Sequence, residues 1–314
     1  MNDEQRKVVL VGVGFVGMSL AYSLLNTGGI DELILIDQNH EKAFGEAMDL
    51  NHGLPYLNKR IVVKSGNYDE CKDADVVVIC AGANQKEGQS RLDLTKVNAK
   101  IMKDITVNVM NYNFDGIFVV ASNPVDIMSD VVLKTSNLPS NKVIGSGTLL
   151  DTARLRYYMG EYLNISTNNI HAYILGEHGD SSFVPWMNCF VGCKPLLEYL
   201  VEKDKDMDSL QHVYELVRNA AYEIIERKKA TYYGIGLSLN RLLMAIFNDE
   251  NSILTVSAYQ NGEYGKYGLY IGVPVVIGRQ GIREVIKLEL NENDKLKFNH
   301  SCDTLKQTII NELE

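Results

Sequence analysis

Short apolar runs alternate with stretches of helical spacing along the first half of the chain. Residues 7–11 (K-V-V-L-V), 33–36 (L-I-L-I), 61–64, 75–80 (D-V-V-V-I-C) and 117–121 (I-F-V-V-A) have strand length and little polarity. Such runs fit strands buried on both faces. A last short run, 142–144, closes the series. Helical patterns lie between them at 18–26, 41–50 and about 94–112. This alternation predicts a parallel, doubly wound α/β sheet. Right-handed crossovers would bring the loops after the strands to the carboxyl edge, where ligands bind such sheets. Beyond residue 147 the pattern changes. It predicts a helix over 149–163, strands over 170–175 and around 185–191, and long helices over about 207–230 and 235–247. Two β-rich segments at 252–259 and 268–277 and a last helix over 292–313 follow. The chain thus divides into a doubly wound domain, 1–146, and a mixed α+β domain, 147–314.

Composition narrows the classes. With 46% hydrophobic and 23% charged residues, the 314-residue chain is ordinary globular material with ample core. Its net charge of −9 comes from 31 scattered basic and 40 acidic residues. That balance argues against nucleic acid or an anionic membrane as the main partner. No apolar run approaches transmembrane length, and the start, M-N-D-E-Q-R-K-V-V-L, does not read as a signal peptide. The five cysteines are an odd number without a C-x-x-C pair, and Cys189 and Cys193 have no second pair at zinc spacing. Free thiols in a reducing cytoplasm, with no metal, are expected.

The first strand runs into Gly12-Val13-Gly14-Phe15-Val16-Gly17 and then a helix. Gly12 permits a tight turn, Gly14 lets backbone approach a pyrophosphate, and Gly17 allows close packing of helix on strand. The helix N-terminus offers unpaired N–H groups to that pyrophosphate. The second strand ends in Asp37, twenty residues beyond Gly17. An acid there accepts from the adenosine ribose and repels a 2′-phosphate, so the first domain is expected to be a Rossmann domain that binds NAD rather than NADP. The strand over 75–80 ends in Ala81-Gly82, small enough for backbone contact with a cofactor, and a polar loop, 83–91, follows.

Other polar residues fall at predicted strand and helix ends: Gln85 and Arg91, Asn123, Asp151 with Arg154, and His178 between apolar 172–175 and Gly179. Singly, each has a plain explanation. Lys86 and Arg91 suit a solvated loop, Asn123-Pro124 a turn, Asp151 a helix cap paired to Arg154, and His178 a polar turn. Together, G-V-G-F-V-G at 12–17, Q-K-E-G-Q-S-R-L-D-L at 85–94, S-N-P-V-D at 122–126, L-D-T-A-R at 150–154 and G-E-H-G-D-S at 176–181 resemble the L-lactate and malate dehydrogenase family over essentially the whole chain.

The resemblance implies roles residue by residue. His178 would be the acid/base, Asp151 would hold its other ring nitrogen, and Arg154 would bind the substrate carboxylate in a bidentate pair. Arg91, on a loop that closes in this family, would polarise the carbonyl; Asn123 would bind substrate beside the nicotinamide, with Thr231 on the far wall. Further cofactor contacts are implied at Val16, Lys42, Tyr68, Gly82, Ala83, Ala121, Ser122 and Ser146. Malate-specific members typically carry arginine six residues before the loop arginine, where this chain has neutral Gln85. A second substrate carboxylate would be left unpaired there at a cost of several kcal/mol. Pyruvate and L-lactate, interconverted in the final step of homolactic fermentation, are therefore expected over malate or a broader range of 2-hydroxy acids. A silent NAD-binding sensor is a third reading. Arg156 and His171 match positions where many bacterial members bind fructose 1,6-bisphosphate between subunits, which implies an effector site in a homotetramer. The chain departs from the family pattern at Glu87, Leu155 and Ser182.

Overall fold

Lys7–Val11 (β1) is buried along its whole length because it is paired in parallel on both edges, to Glu32–Ile36 (β2) and Val76–Ile79 (β4). In this computed structural model, which describes residues 6–83, 91–206 and 208–313, Val62–Ser65 (β3) extends one side and Ile117–Val120 (β5) and Val143–Gly145 (β6) the other. The helices Phe15–Thr27 (α1), His40–Gly53 (α2), Arg91–Met110 (α3) and Val125–Ser136 (α4) connect these strands. Leu149–Leu163 (α5) then opens the second half.

Three strands of that second half do not form a sheet of their own. Ser252–Asn261 (β10), Tyr267–Gly278 (β11) and Gly281–Val285 (β12) continue the first sheet, giving the order β12-β11-β10-β6-β5-β4-β1-β2-β3 after the short Ile170–His171 (β7), Phe190–Val191 (β8) and Lys194–Pro195 (β9) are set apart as a small antiparallel sheet. The junction is antiparallel, at Ser257 opposite Gly145. The remaining helices are Leu196–Glu202 (α6), Asp208–Lys228 (α7), Tyr233–Phe247 (α8) and Glu292–Leu313 (α9). One apolar core runs from Val8 to Leu305 through both halves, and a second gathers under α5, α6 and α7.

Two expected strands are shorter than the sequence suggests. Of 170–175 only Ile170–His171 is a strand. The Ile174 N–H donates to the Thr152 hydroxyl at 3.0 Å, and the Thr148 hydroxyl donates to the Ile174 carbonyl at 2.6 Å. Side chains of α5 and its cap thus take the place of a strand neighbour, which apolarity cannot reveal. Around 185–191, Pro185 precedes a 3₁₀ turn whose N–H groups bond locally, Asn188 to Pro185 and Cys189 to Trp186, leaving Phe190–Val191 as the strand. α4 is not among the expected elements, although Asp126, Ser129, Asp130 and Lys134 recur at helical spacing; Val125 to Asp130 are nevertheless all buried, polar residues included. Among the described residues no helix is long and apolar enough to cross a membrane.

Candidate active site

The glycine turn is built as its spacing suggests, with a different constraint at each glycine. Gly12 has φ +102°, and a β-carbon there would lie 2.6 Å from the Ala81 nitrogen. At Gly17 a β-carbon would run into the Gly12 carbonyl oxygen. Gly14, the N-cap of α1, has φ −79° and would meet nothing within 4 Å. Neither backbone conformation nor packing requires glycine there, whereas a ligand lying against the main chain would. The Val13 N–H donates to Asp37 at 2.9 Å and the Asn39 N–H to the other carboxylate oxygen at 3.0 Å. Asp37 is thereby fixed beside the turn, where a ribose would meet it. Tyr68 opens the 3₁₀ turn after β3, and burial pushes its phenol up, with Asp37 among the nearby charges. Lys42 sits exposed in the first turn of α2, and Val16 is half-buried in α1. These residues fit a dinucleotide such as NAD.

The carboxyl ends of β4 and β5 are tied together. The Ser122 hydroxyl donates to the Ala81 carbonyl at 2.5 Å. Asn98, on α3 and 3% exposed, accepts from the Ala83 N–H at 2.8 Å and donates to the Asn123 carbonyl at 2.9 Å. Gly82 and Asn123 remain exposed, Ala121 and Ala83 half-buried, and Ser146 is buried with its N–H on the Val120 carbonyl at 2.8 Å. The Asn98 bridge has no sequence signature, being an ordinary polar residue inside a helix.

α5 presents Asp151 and Arg154 one turn apart, with a guanidinium nitrogen donating to Asp151 Oδ1 at 2.9 Å. The other oxygen of Asp151 lies 2.7 Å from Nδ1 of His178. Burial alone would disfavour the imidazolium, but the charge and hydrogen bond of Asp151 outweigh it and push His178 up to about 9. Burial likewise works against the Asp151 carboxylate, yet His178 and Arg154 hold it below its ordinary range. His178 is carried on a loop stitched to β11 by paired bonds between Gly176 and Gly272, 3.0 and 2.9 Å long. Gly176 has φ +104°, and a β-carbon at Gly272 would come within 2.6 Å of the Gly176 carbonyl oxygen. The Glu177 N–H donates to the Ser301 hydroxyl of α9 at 2.6 Å, and the His178 N–H to Asp126 of α4 at 2.9 Å. Asp126 and Ser301 lie outside the sequence-predicted set. The available signal was an acid two residues after Pro124 amid apolar neighbours.

Gln85, Lys86, Glu87 and the side chain of Arg91 lie outside the described residues; Arg91 is the first residue of α3. Thr231 is half-buried in the loop between α7 and α8, next to Tyr232, whose ring stacks on Phe15 of the glycine turn at 5.1 Å. Arg156 donates to the Ala172 carbonyl at 3.1 Å and lies 5.2 Å from the Tyr173 ring centre; burial lowers its pKa. His171 is exposed on β7. Leu155 is fully buried in the second core, and the Ser182 carbonyl accepts from the Tyr214 hydroxyl. Among the described residues no group of histidine, cysteine or acid side chains is placed to hold a metal.

The family model for the lactate/malate dehydrogenase NAD binding domain matches residues 6–145, and that for the alpha/beta C-terminal domain of the same family matches 148–314. An L-lactate dehydrogenase 2 of Bacillus cereus is 52% identical over 310 residues, 98% of this chain and 99% of that one. An L-lactate dehydrogenase 1 of Bacillus anthracis is 53% identical over 311 residues, with the same coverage. The crystal structure of MGS-M5, a lactate dehydrogenase from a Medee basin deep-sea metagenome library, superposes with a TM-score of 0.97 at 50% identity and covers 99% of both chains. The ligand-bound minor L-lactate dehydrogenase of Enterococcus mundtii does so at 0.96 and 49% identity, covering 99% of this chain and 100% of its own. A glycine turn set against an acid and a histidine held by an aspartate–arginine pair thus occur in a chain that belongs to the lactate/malate dehydrogenase family.

Proposed function

We propose that the chain is an NAD-dependent L-lactate dehydrogenase that interconverts pyruvate and L-lactate. The observation that carries this reading is the relay of Arg154, Asp151 and His178, with separations of 2.9 and 2.7 Å. The glycine turn and Asp37 would hold NADH, which would supply the hydride. His178, held by Asp151 through Nδ1, gives a proton from its other ring nitrogen to the carbonyl oxygen and takes it back in lactate oxidation. Arg154 has one nitrogen committed to Asp151, and its remaining edge binds the substrate carboxylate. Arg91 stabilises the developing oxyanion, Asn123 orients the carbonyl, and Thr231 lines the wall.

Neutral Gln85 favours a monocarboxylate. Initial rates with NADH and either pyruvate or oxaloacetate test this, with pyruvate expected to turn over faster. Faster oxaloacetate turnover would support the malate reading instead.

Fructose 1,6-bisphosphate is proposed as an effector at Arg156 and His171. The described partners of Arg156 are a carbonyl and an aromatic ring, and neither neutralises its charge as a phosphate would. A homotetramer would bring two such sites together, and a cytoplasmic setting suits five unpaired cysteines. Activity with and without the bisphosphate should respond in the wild type and lose that response in His171→Ala; an unchanged response would remove His171 from the site.

A further inference from the structure

We infer that Asp126, in the first turn of α4, is a positioning residue of the proton relay: its carboxylate anchors the His178 main chain and places a second negative charge behind the imidazole. This rests on the acid/base role proposed for His178. Asp126 is 3% exposed. One carboxylate oxygen accepts the His178 N–H at 2.9 Å, across 52 residues of sequence, and the other accepts the Ser257 hydroxyl of β10. The contact therefore joins three separate parts of the fold at the reacting residue.

Geometry alone does not call for a charge here. An asparagine oxygen would accept the same N–H while its amide donated to Ser257, with no ion to desolvate. Burying a carboxylate instead costs several kcal/mol unless something nearby uses the charge. The groups facing Asp126 are His178 and Glu177 on the loop, Ser257 on β10 and Cys302 on α9. Of these, only His178 becomes cationic. Around the imidazole, α5 supplies Asp151 and Arg154, which oppose one another, and α4 supplies Asp126 on the side of the main chain. Asp126 thus favours the protonated ring that pyruvate reduction needs. Burial pushes the Asp126 carboxyl up to about 6, against the pull of Ser257 and His178, so the charge is present at neutral pH.

The test is a titration of His178 by NMR in the cofactor-free protein with labelled histidine, the resonance being assigned with His178→Asn. In Asp126→Asn, which keeps both hydrogen bonds, the His178 pKa should fall by about one unit. The alkaline limb of pyruvate reduction should move down with it. Between pH 8 and 9 kcat/KM for pyruvate should then fall about twofold to fivefold, while the NADH dissociation constant stays within about twofold. Asp126→Ala, which also frees the main chain, should cost a further factor of about ten in kcat. A second reading uses the wild type alone: the His178 amide shift should titrate near the Asp126 value, because that N–H is bonded to the carboxylate. An unmoved His178 titration in Asp126→Asn, or a wild-type amide shift flat between pH 5 and 7, overturns the inference. If the wild type fails to reduce pyruvate, the proposed function falls while the titration still decides the role of Asp126.

Discussion

Gly14, a proposed cofactor contact, differs from the other glycines of its turn in that the fold does not require it. Its φ of −79° suits alanine, and an added β-carbon would meet nothing within 4 Å. Gly14→Ala should therefore change unfolding free energy by no more than about 0.5 kcal/mol. It should weaken NADH binding about tenfold or more, because the methyl occupies the approach to the turn. Gly17→Ala should destabilise by about 1–3 kcal/mol, since its β-carbon runs into the Gly12 carbonyl. Urea denaturation and NADH fluorescence titration on both variants read the two quantities independently. The relay carries a pH signature with a definite sign. His178 is raised from the ordinary 6.5 to about 9, so its protonation favours the folded state. That contribution is complete below about 6.5 and lost as pH rises through 9. Asp151 is held below its ordinary range, so its share is present above that range and is lost as pH falls through the lowered value. The wild-type melting temperature should fall as pH rises from about 6.5 to 9 and level off above, and His178→Asn should lack that fall. Pyruvate reduction should decline as pH passes 9.

At the level of elements, the packing of α8 on α1 joins the glycine turn to the loop that carries the proposed substrate-wall residue Thr231. A β-carbon at Gly236 would come within 2.7 Å of the Ser19 side chain and 2.9 Å of the Leu20 nitrogen. Asn240, one turn further, donates to Ser23 and Thr27 of α1 at 2.8 and 2.7 Å. Gly236→Ala should push the helices apart, costing about 1–3 kcal/mol. It should raise the KM for pyruvate as well, because Thr231 and Tyr232 lie just before α8. Urea unfolding with steady-state kinetics checks both. How legible an element was depended on where its backbone finds partners. β1, β4 and β5, buried on both faces in a parallel sheet, were readable as apolar runs, and α5 from Leu149 to Leu163 emerged with the bounds its pattern suggested. The 170–175 segment was not, because Thr148 and Thr152 satisfy Ile174 through side chains that only tertiary structure brings there. The site divides in the same way. Asp151, Arg154 and His178 stand in motifs and are brought together, whereas Asn98 and Ser301 stand in no motif, and Asp126 stands in one without a role that its spacing could assign; all three act through main-chain contacts that only the fold creates.

Across the whole molecule, sheet continuity sets how the two halves share their stability. β10 pairs with β6 at the point where the chain passes from one half to the other, and the main core draws on strands and helices from both. Gly145 sits so tightly against Ser129 and Ser257 that a β-carbon would lie 2.7 Å from the Ser257 side chain. An isolated fragment of residues 1–146 would leave β6 with an uncovered edge and expose the apolar face of α4 that β10 and β11 cover. The halves should accordingly unfold together, even though the proposed cofactor contacts fall almost wholly in the first. Ligand binding makes the distinction measurable. NADH at about a hundred times its dissociation constant stabilises whatever unfolds with its site by about 2.7 kcal/mol. If the halves were independent, calorimetry would show two transitions, and NADH would move only one. A shared core instead requires one transition that shifts as a unit, measured at constant protein concentration so that assembly does not contribute. The same experiment on Gly145→Ala, which disturbs the junction without touching the glycine turn, should lower the transition while leaving its NADH-induced shift in free energy intact. A second transition appearing in the wild type would mean that the sheet joins two domains without making them one cooperative unit.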